Sequence, residues 1–143
     1  MPNKQATVEE LVSHMFIMGR LMRNKMQHKV HSGQCTMIEF ETLKYVKDVG
    51  QPHMRDVAKA FHVTPPAATL MIDGLVKAKF LERVLDPKDR RSVRVAITSK
   101  GRKLLERGIA NKVREMKKLF GILTPAERTH FVTAIKKIIK NNS

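Results

Sequence analysis

Lys88, Arg90 and Arg91 stand within four residues of one another in the stretch LDPKDRRSVRVAIT, residues 85–98. A chain reversal needs only Asp, Pro or Gly, so three cations exceed what folding a turn demands. The chemistry they suit is contact with an anion outside the fold. The whole chain points the same way: 28 Lys and Arg face 13 Asp and Glu over 143 residues, a formal charge of +15. Each Lys or Arg placed on a phosphate releases condensed counterions, so such a surplus stabilises a nucleic-acid complex without any base being read. Nucleic acid is the expected partner. An acidic membrane surface or an acidic protein also fits the charge alone.

Other chemistries find little support. The chain has no Gly-rich phosphate loop, no nucleophile elbow, no carboxylates paired at catalytic spacing and no compact metal motif, which argues against an enzyme and leaves no cofactor expected. A single cysteine cannot form an internal disulfide, and no secretory signal is visible at the N-terminus. No apolar stretch approaches the roughly 18 residues of a membrane span. The expectation is a soluble, cytoplasmic protein without membrane contact.

The elements that must carry the cations are marked by their own signals. Thr7 with Glu10, Thr36 with Glu39, and Thr124 with Glu127 each pair a capping hydroxyl with an acid three residues on, and Pro125 suits a first helical position. Apolar residues follow each at helical spacing: Leu11, Met15, Met18, Met22 and Met26 after the first, Met37, Phe40, Leu43 and Val46 after the second, Phe131, Ile135, Ile138 and Ile139 after the third. MRDVAKAF, residues 54–61, makes a two-turn helix. Thr64 caps the next, Pro65 and Pro66 fit only its first turn, and Ala68, Met71, Ile72, Leu75 and Val76 form its inner stripe. Two short helices meeting across three or four residues have helix-turn-helix geometry. LERVL and SVRVAIT alternate with period two around DPKDRR and read as a hairpin. A last long helix starts at Thr98 or Ser99, with Leu105, Ile109, Val113, Met116 and Phe120 on one side, and ends at Gly121.

The outer helices carry more apolar surface than the middle can cover. A helix of about 22 residues reaches about 33 Å, too far to be backed by shorter elements alone. A homodimer with interlocking terminal helices is the simplest arrangement.

A helix-turn-helix followed by a two-stranded wing is a winged helix, and VTPPAATLMIDGLVKAKFLERVLDPKDRRSVRVAITSKG, residues 63–101, closely resembles the MarR family of transcriptional regulators. Asp89, Arg90, Arg91, Thr98 and Gly101 fall at that family's spacing, and the order of elements matches from Thr7 to Ile139. The resemblance implies a mainly α, winged-helix fold (α+β) in a single domain, 1–143, with the winged helix-turn-helix at 36–98 and dimerisation helices at 7–30 and 99–140. It further implies a dimeric, sequence-specific regulator, expected to be a repressor released by a small-molecule effector, bound to a pseudopalindromic double-stranded DNA operator. The second helix of the motif would enter the major groove and the wing arginine Arg90 a narrow minor groove, where the negative potential is greatest. A basic architectural or RNA-binding winged helix without a defined operator is the alternative.

The resemblance places DNA-facing residues at Thr64, Pro65, Pro66 and Thr69. Positions often basic in relatives are Leu70 and Gly74, so bidentate arginine-to-guanine contacts from this helix are not expected. Base reading is expected to be sparse, with phosphate and shape contributing more. Arg55, Lys59, Arg83, Lys88, Arg90, Arg91 and Arg94 are the candidate DNA-binding cations. Asp89 is expected to organise the wing by a charge-assisted bond to an arginine, Arg91 first. Lys79 replaces the glycine that usually closes this helix, so a left-handed cap there should be strained or absent.

Family members commonly bind an amphipathic compound between the dimerisation region and the winged helix. Met15, Met18, Met22 and Met26 form a flexible stripe that could line such an effector pocket, but core or dimer packing is the reading favoured for the stripe. His28, His31 and Cys35 could reach one metal, but their spacing is loose, no acid is close by before Glu39, and histidines are welcome at a helix end, so no metal is expected. An oxidation-sensing role for Cys35 needs a depressed thiol pKa, which sequence does not reveal. His14, His53, His62 and His130 read as ordinary edge or surface residues.

Overall fold

The structure, a computed structural model, describes residues 5–27 and 35–142. Among the described residues, six helices and one hairpin follow in the order α1 (Val8–Gln27), α2 (Met37–Val49), α3 (Met54–Ala60), α4 (Pro65–Lys77), β1 (Leu81–Leu85), β2 (Val93–Ile97), α5 (Ser99–Phe120) and α6 (Pro125–Lys140). One compact unit runs to Ile109 and a second begins at Ala110. Helix starts follow their capping chemistry. Thr36 and Glu39 exchange bonds across the start of α2, as do Thr124 and Glu127 at α6. At α1 the Thr7 hydroxyl accepts the Glu10 N–H at 3.2 Å. These bonds satisfy N–H groups that have no partner within the helix.

The core of the first unit joins four helices to the hairpin. Leu43 and Val46 of α2, Val57 and Ala58 of α3, Ala68, Ile72 and Leu75 of α4, Leu81 and Val95 of the strands, and Leu105 of α5 are buried together with Phe80. β1 and β2 pair antiparallel with Leu81 opposite Ile97 and Leu85 opposite Val93. The segment before α3 lies along the other edge of β2: the Val95 N–H donates to the Pro52 carbonyl at 2.9 Å, and His53 bridges Arg94. The wing is thereby tied to the start of α3.

Both helices of the helix-turn-helix end on a left-handed residue that is not glycine. His62 (φ 51°) follows α3 and Lys79 (φ 65°) follows α4. In each case the next residue donates five positions back, Val63 to Ala58 at 3.0 Å and Phe80 to Leu75 at 2.9 Å. Lys79 therefore forms the left-handed cap that glycine usually supplies, and bears its strain. Burial of Phe80 against the core and the Thr98 hydroxyl, its one hydrogen shared between the Lys79 carbonyl at 2.7 Å and the Phe80 carbonyl at 3.1 Å, hold the corner. The same hydroxyl accepts the Gly101 N–H at 3.0 Å, so Thr98 joins the start of α5 to the end of α4. Gly101 is required there because a Cβ would stand 2.1 Å from the Phe80 carbonyl oxygen.

These contacts predict opposite effects at two neighbouring sites. Gly101→Ala should cost about 1–3 kcal/mol through the backbone clash. Lys79→Gly should stabilise by about 0.5 kcal/mol, since relief of left-handed strain exceeds the added freedom of the unfolded chain. Urea unfolding midpoints measure both, and a lowered midpoint for Lys79→Gly would contradict the strain.

Candidate nucleic-acid interface

The outward face of α4 is short of charge. Thr64, Pro65, Pro66 and Thr69 are exposed, and Leu70 is 75% exposed. The two hydroxyls are committed differently. Thr64 Oγ1 accepts the Ala67 N–H at 3.4 Å, which leaves its own hydrogen to donate. Thr69 Oγ1 donates to the Pro65 carbonyl at 3.0 Å, which leaves its oxygen lone pairs to accept from a base amino group. Arg55 and Lys59 stand four residues apart on α3, both exposed.

The wing is organised by Asp86, a residue that sequence reading passed over. Its side chain is nearly sealed from solvent, with the residue 6% exposed. Oδ1 accepts the Lys88 N–H at 2.9 Å, and Oδ2 accepts Arg94 Nε at 3.0 Å and lies 3.4 Å from His53 Nε2. The Lys88 N–H first, then Arg94 and His53, hold the carboxyl below the ordinary carboxylate value, against the opposing effect of burial. His53 Nδ1 is 2.8 Å from Ser92 Oγ, and Arg94 Nη1 donates to the Gln51 carbonyl at 3.3 Å. His53 is thus no ordinary edge residue: it closes a network between wing and α3. His62 likewise has a structural task, as the left-handed end of α3.

Asp89 works on backbone rather than on a guanidinium. Its carboxylate accepts the Arg91 N–H at 3.0 Å, and its carbonyl accepts the Ser92 N–H at 2.9 Å. The expected pair with the Arg91 side chain gives way to an Asx turn, because a carboxylate reaches the N–H two residues on more readily than a long side chain beyond it. The consequence is that Arg91 keeps its guanidinium outside. Lys88, Arg90 and Arg91 are all exposed, and their side chains form no ion pair with any described residue. Two other candidate cations differ. Arg94 is held by Asp86, and Arg83 pairs with Asp73 of α4. Asp86 carried one legible signal, an acid at the rim of a turn, but the link between Ser92 and His53 spans 39 residues and has no local signature.

The remaining candidates separate by environment. Met15 is exposed and Met18 and Met22 are half-buried on α1, while the Met26 side chain lies outside the described residues. His28 and His31 also lie outside them. Cys35 is half-buried, and its thiol is pushed up to about 11 by burial first and then by the Glu39 carboxylate. That environment disfavours the thiolate an oxidation sensor needs. Among the described residues no group of acids, histidines or cysteines could hold a metal, and no helix is long and apolar enough to cross a membrane.

Asp86→Asn should loosen the wing and lower the melting temperature. A carboxyl with a depressed folded pKa contributes fully above its ordinary value of 3.8 and loses that contribution as pH falls below it. The gap between wild type and Asp86→Asn should be constant at neutral pH and close in acid. A gap that widens in acid would contradict the assigned bonds.

The comparison with known proteins bears on this geometry. The sequence model of the MarR family matches residues 35–93, from the residue before the α2 cap to the first residue of β2. YsmB of Bacillus subtilis (strain 168), described as an uncharacterized HTH-type transcriptional regulator, is 22% identical over 133 residues, covering 93% of this chain and 89% of its own. The crystal structure of RV1404 from Mycobacterium tuberculosis superposes with a TM-score of 0.80 at 23% identity, over 98% of this chain and 97% of that one. BpsR of Bordetella bronchiseptica, whose DNA binding is described as regulated by 6-hydroxynicotinic acid, superposes with a TM-score of 0.69 at 29% identity, over 90% and 98% of the two chains. Over residues 35–93 the chain is thus similar to the MarR family, and it shares the helix-turn-helix, the wing and the order of elements with these solved structures.

Proposed function

We propose that the chain acts as a homodimer on a pseudopalindromic duplex, with α4 in the major groove and Arg90 in the flanking minor groove of each half-site. The observation that carries this reading is the sorting of the wing cations: Arg94 is spent on Asp86, whereas Lys88, Arg90 and Arg91 are left outward on a turn that Asp86 and Asp89 hold in shape. A turn fixed in this way loses little backbone freedom on meeting phosphate, and a narrow minor groove favours arginine. The uncharged tip of α4, Thr64 to Leu70, suits thymine methyls, sugars and a few hydroxyl contacts. Half-sites lie about 34 Å apart, the pitch at which a two-fold dimer uses both recognition helices on one face of DNA.

Dimerisation is supported by apolar surface that neither unit covers. On α1, Phe16 is 76% exposed, and Val8, Leu11 and Met15 are exposed beside it. On α6, Phe131, Val132, Ile135 and Ile138 are exposed as well. Exposed apolar residues gathered on a helix face mark a protein partner, and each unit carries such a face. We further read the protein as a repressor released by a small amphipathic ligand near Met15, Met18 and Met22, in keeping with the ligand regulation described for BpsR.

Selection of bound fragments from random duplexes should return a pseudopalindrome bound roughly 10³-fold more tightly than random DNA at one fixed salt. A ratio under about 10 would favour the architectural reading. Arg90→Ala should erase any A·T preference in the flank, or flatten the salt slope by about one unit if it meets phosphate instead. Unchanged binding would remove Arg90 from the interface. Thr69→Ala should lower discrimination more than general affinity, and an equal loss of both would make Thr69 a backbone contact.

A further inference from the structure

Arg83 begins on β1, opposite Val95, on the hairpin face that turns toward the core. Its guanidinium nevertheless leaves the hairpin and meets the Asp73 carboxylate on α4, Nη2 to Oδ1. Asp73 stands four residues after Thr69, three after Leu70 and four before Lys77, on the outward face that holds the proposed DNA contacts. A lone carboxylate on such a face would repel a duplex. Paired with Arg83, it instead brings a cation to a helix face that has none of its own from Pro65 to Val76. The pair is open to a ligand: the Arg83 side chain is 37% exposed and that of Asp73 51%.

We propose that Arg83 is a base-reading arginine of the recognition surface, carried by β1 and aimed by Asp73, with a guanine in each half-site as its target. The inference rests on the DNA-binding reading above and adds to it a specific reader. One Nη2 hydrogen is engaged by Asp73, and the guanidinium retains further donors at Nη1 and Nη2. Guanine presents two acceptors, O6 and N7, side by side in the major groove, and the flat guanidinium fork matches them where an ammonium does not. The carboxylate removes the rotational freedom that makes a long free side chain a poor reader. Leu70 and Gly74, where relatives often carry cations, leave the groove-facing surface to this imported one. Asp73 is a positioning residue, and Arg83 is the group that touches DNA.

The sign of one substitution separates this from a merely structural pair. Asp73→Asn removes a negative charge beside DNA, so electrostatics alone tightens binding to every duplex. If Asp73 aims Arg83, the variant should bind random duplex slightly more tightly and the selected operator about tenfold more weakly. Arg83→Lys should keep affinity for random duplex and lose preference for one G·C pair per half-site. The readouts are competition binding at one fixed salt on the operator, on operators substituted at each G·C pair, and on random duplex, with variants shown by thermal melting to be folded. Equal tightening on all DNA by Asp73→Asn, or an unchanged base preference in Arg83→Lys, would overturn the assignment while leaving the operator reading standing. A wild type that fails to prefer any selected duplex would overturn both.

Discussion

One buried carboxylate decides where the charges of the wing end up. Asp86 gathers the Lys88 N–H, the Arg94 guanidinium and the His53 ring around two oxygens, in a site nearly closed to water. A carboxylate buried without such partners would be costly, so the network forms as a whole or not at all. Because His53 and Gln51 belong to the segment before α3, the same network sets the wing against the helix-turn-helix. The corner at Lys79, Phe80 and Thr98 performs the matching task at the base of the hairpin, where it joins α4 to α5. A two-stranded sheet has little core of its own, and these two anchor points give it a fixed direction.

The cations of the wing thus fall into two groups with different physics. Arg83 and Arg94 have acidic partners within the fold, and their freedom is already reduced. Lys88, Arg90 and Arg91 have none among the described residues, and their charge is available to an external anion. A chain of formal charge +15 gains general affinity for DNA from any exposed lysine, but discrimination needs groups held in place. The acids are few in this sequence, and Asp73, Asp86 and Asp89 are spent on this ordering at the wing and on α4.

Much of this was legible in the sequence because the signals are local. Capping pairs at Thr36 and Thr124, the two prolines after Thr64, and the period-two runs around DPKDRR each act within a few residues, and the observed elements start and stop beside them. The strained cap at Lys79 was readable for the same reason. The links between distant segments were not. His53 meets Ser92 across 39 residues, and Asp73 meets Arg83 from helix to strand, with nothing in the local pattern to announce either. The sequence points to Asp89 as the organiser of the wing, yet its bond goes to the Arg91 backbone, and the larger share of ordering falls to Asp86. Charge alone could not tell a free arginine from a tethered one, which is why Arg83 and Arg94 were grouped with the wing-tip cations.

If the wing is shaped before it meets DNA, amide hydrogen exchange of the full chain at Lys88, Arg91 and Ser92 shows it most directly. Those three N–H groups are bonded to Asp86, Asp89 and the Asp89 carbonyl. A pre-shaped wing predicts protection in the free protein that changes little when duplex is added. Fast exchange without DNA and protection only in its presence would mean that the duplex, and not the buried carboxylate, orders the wing.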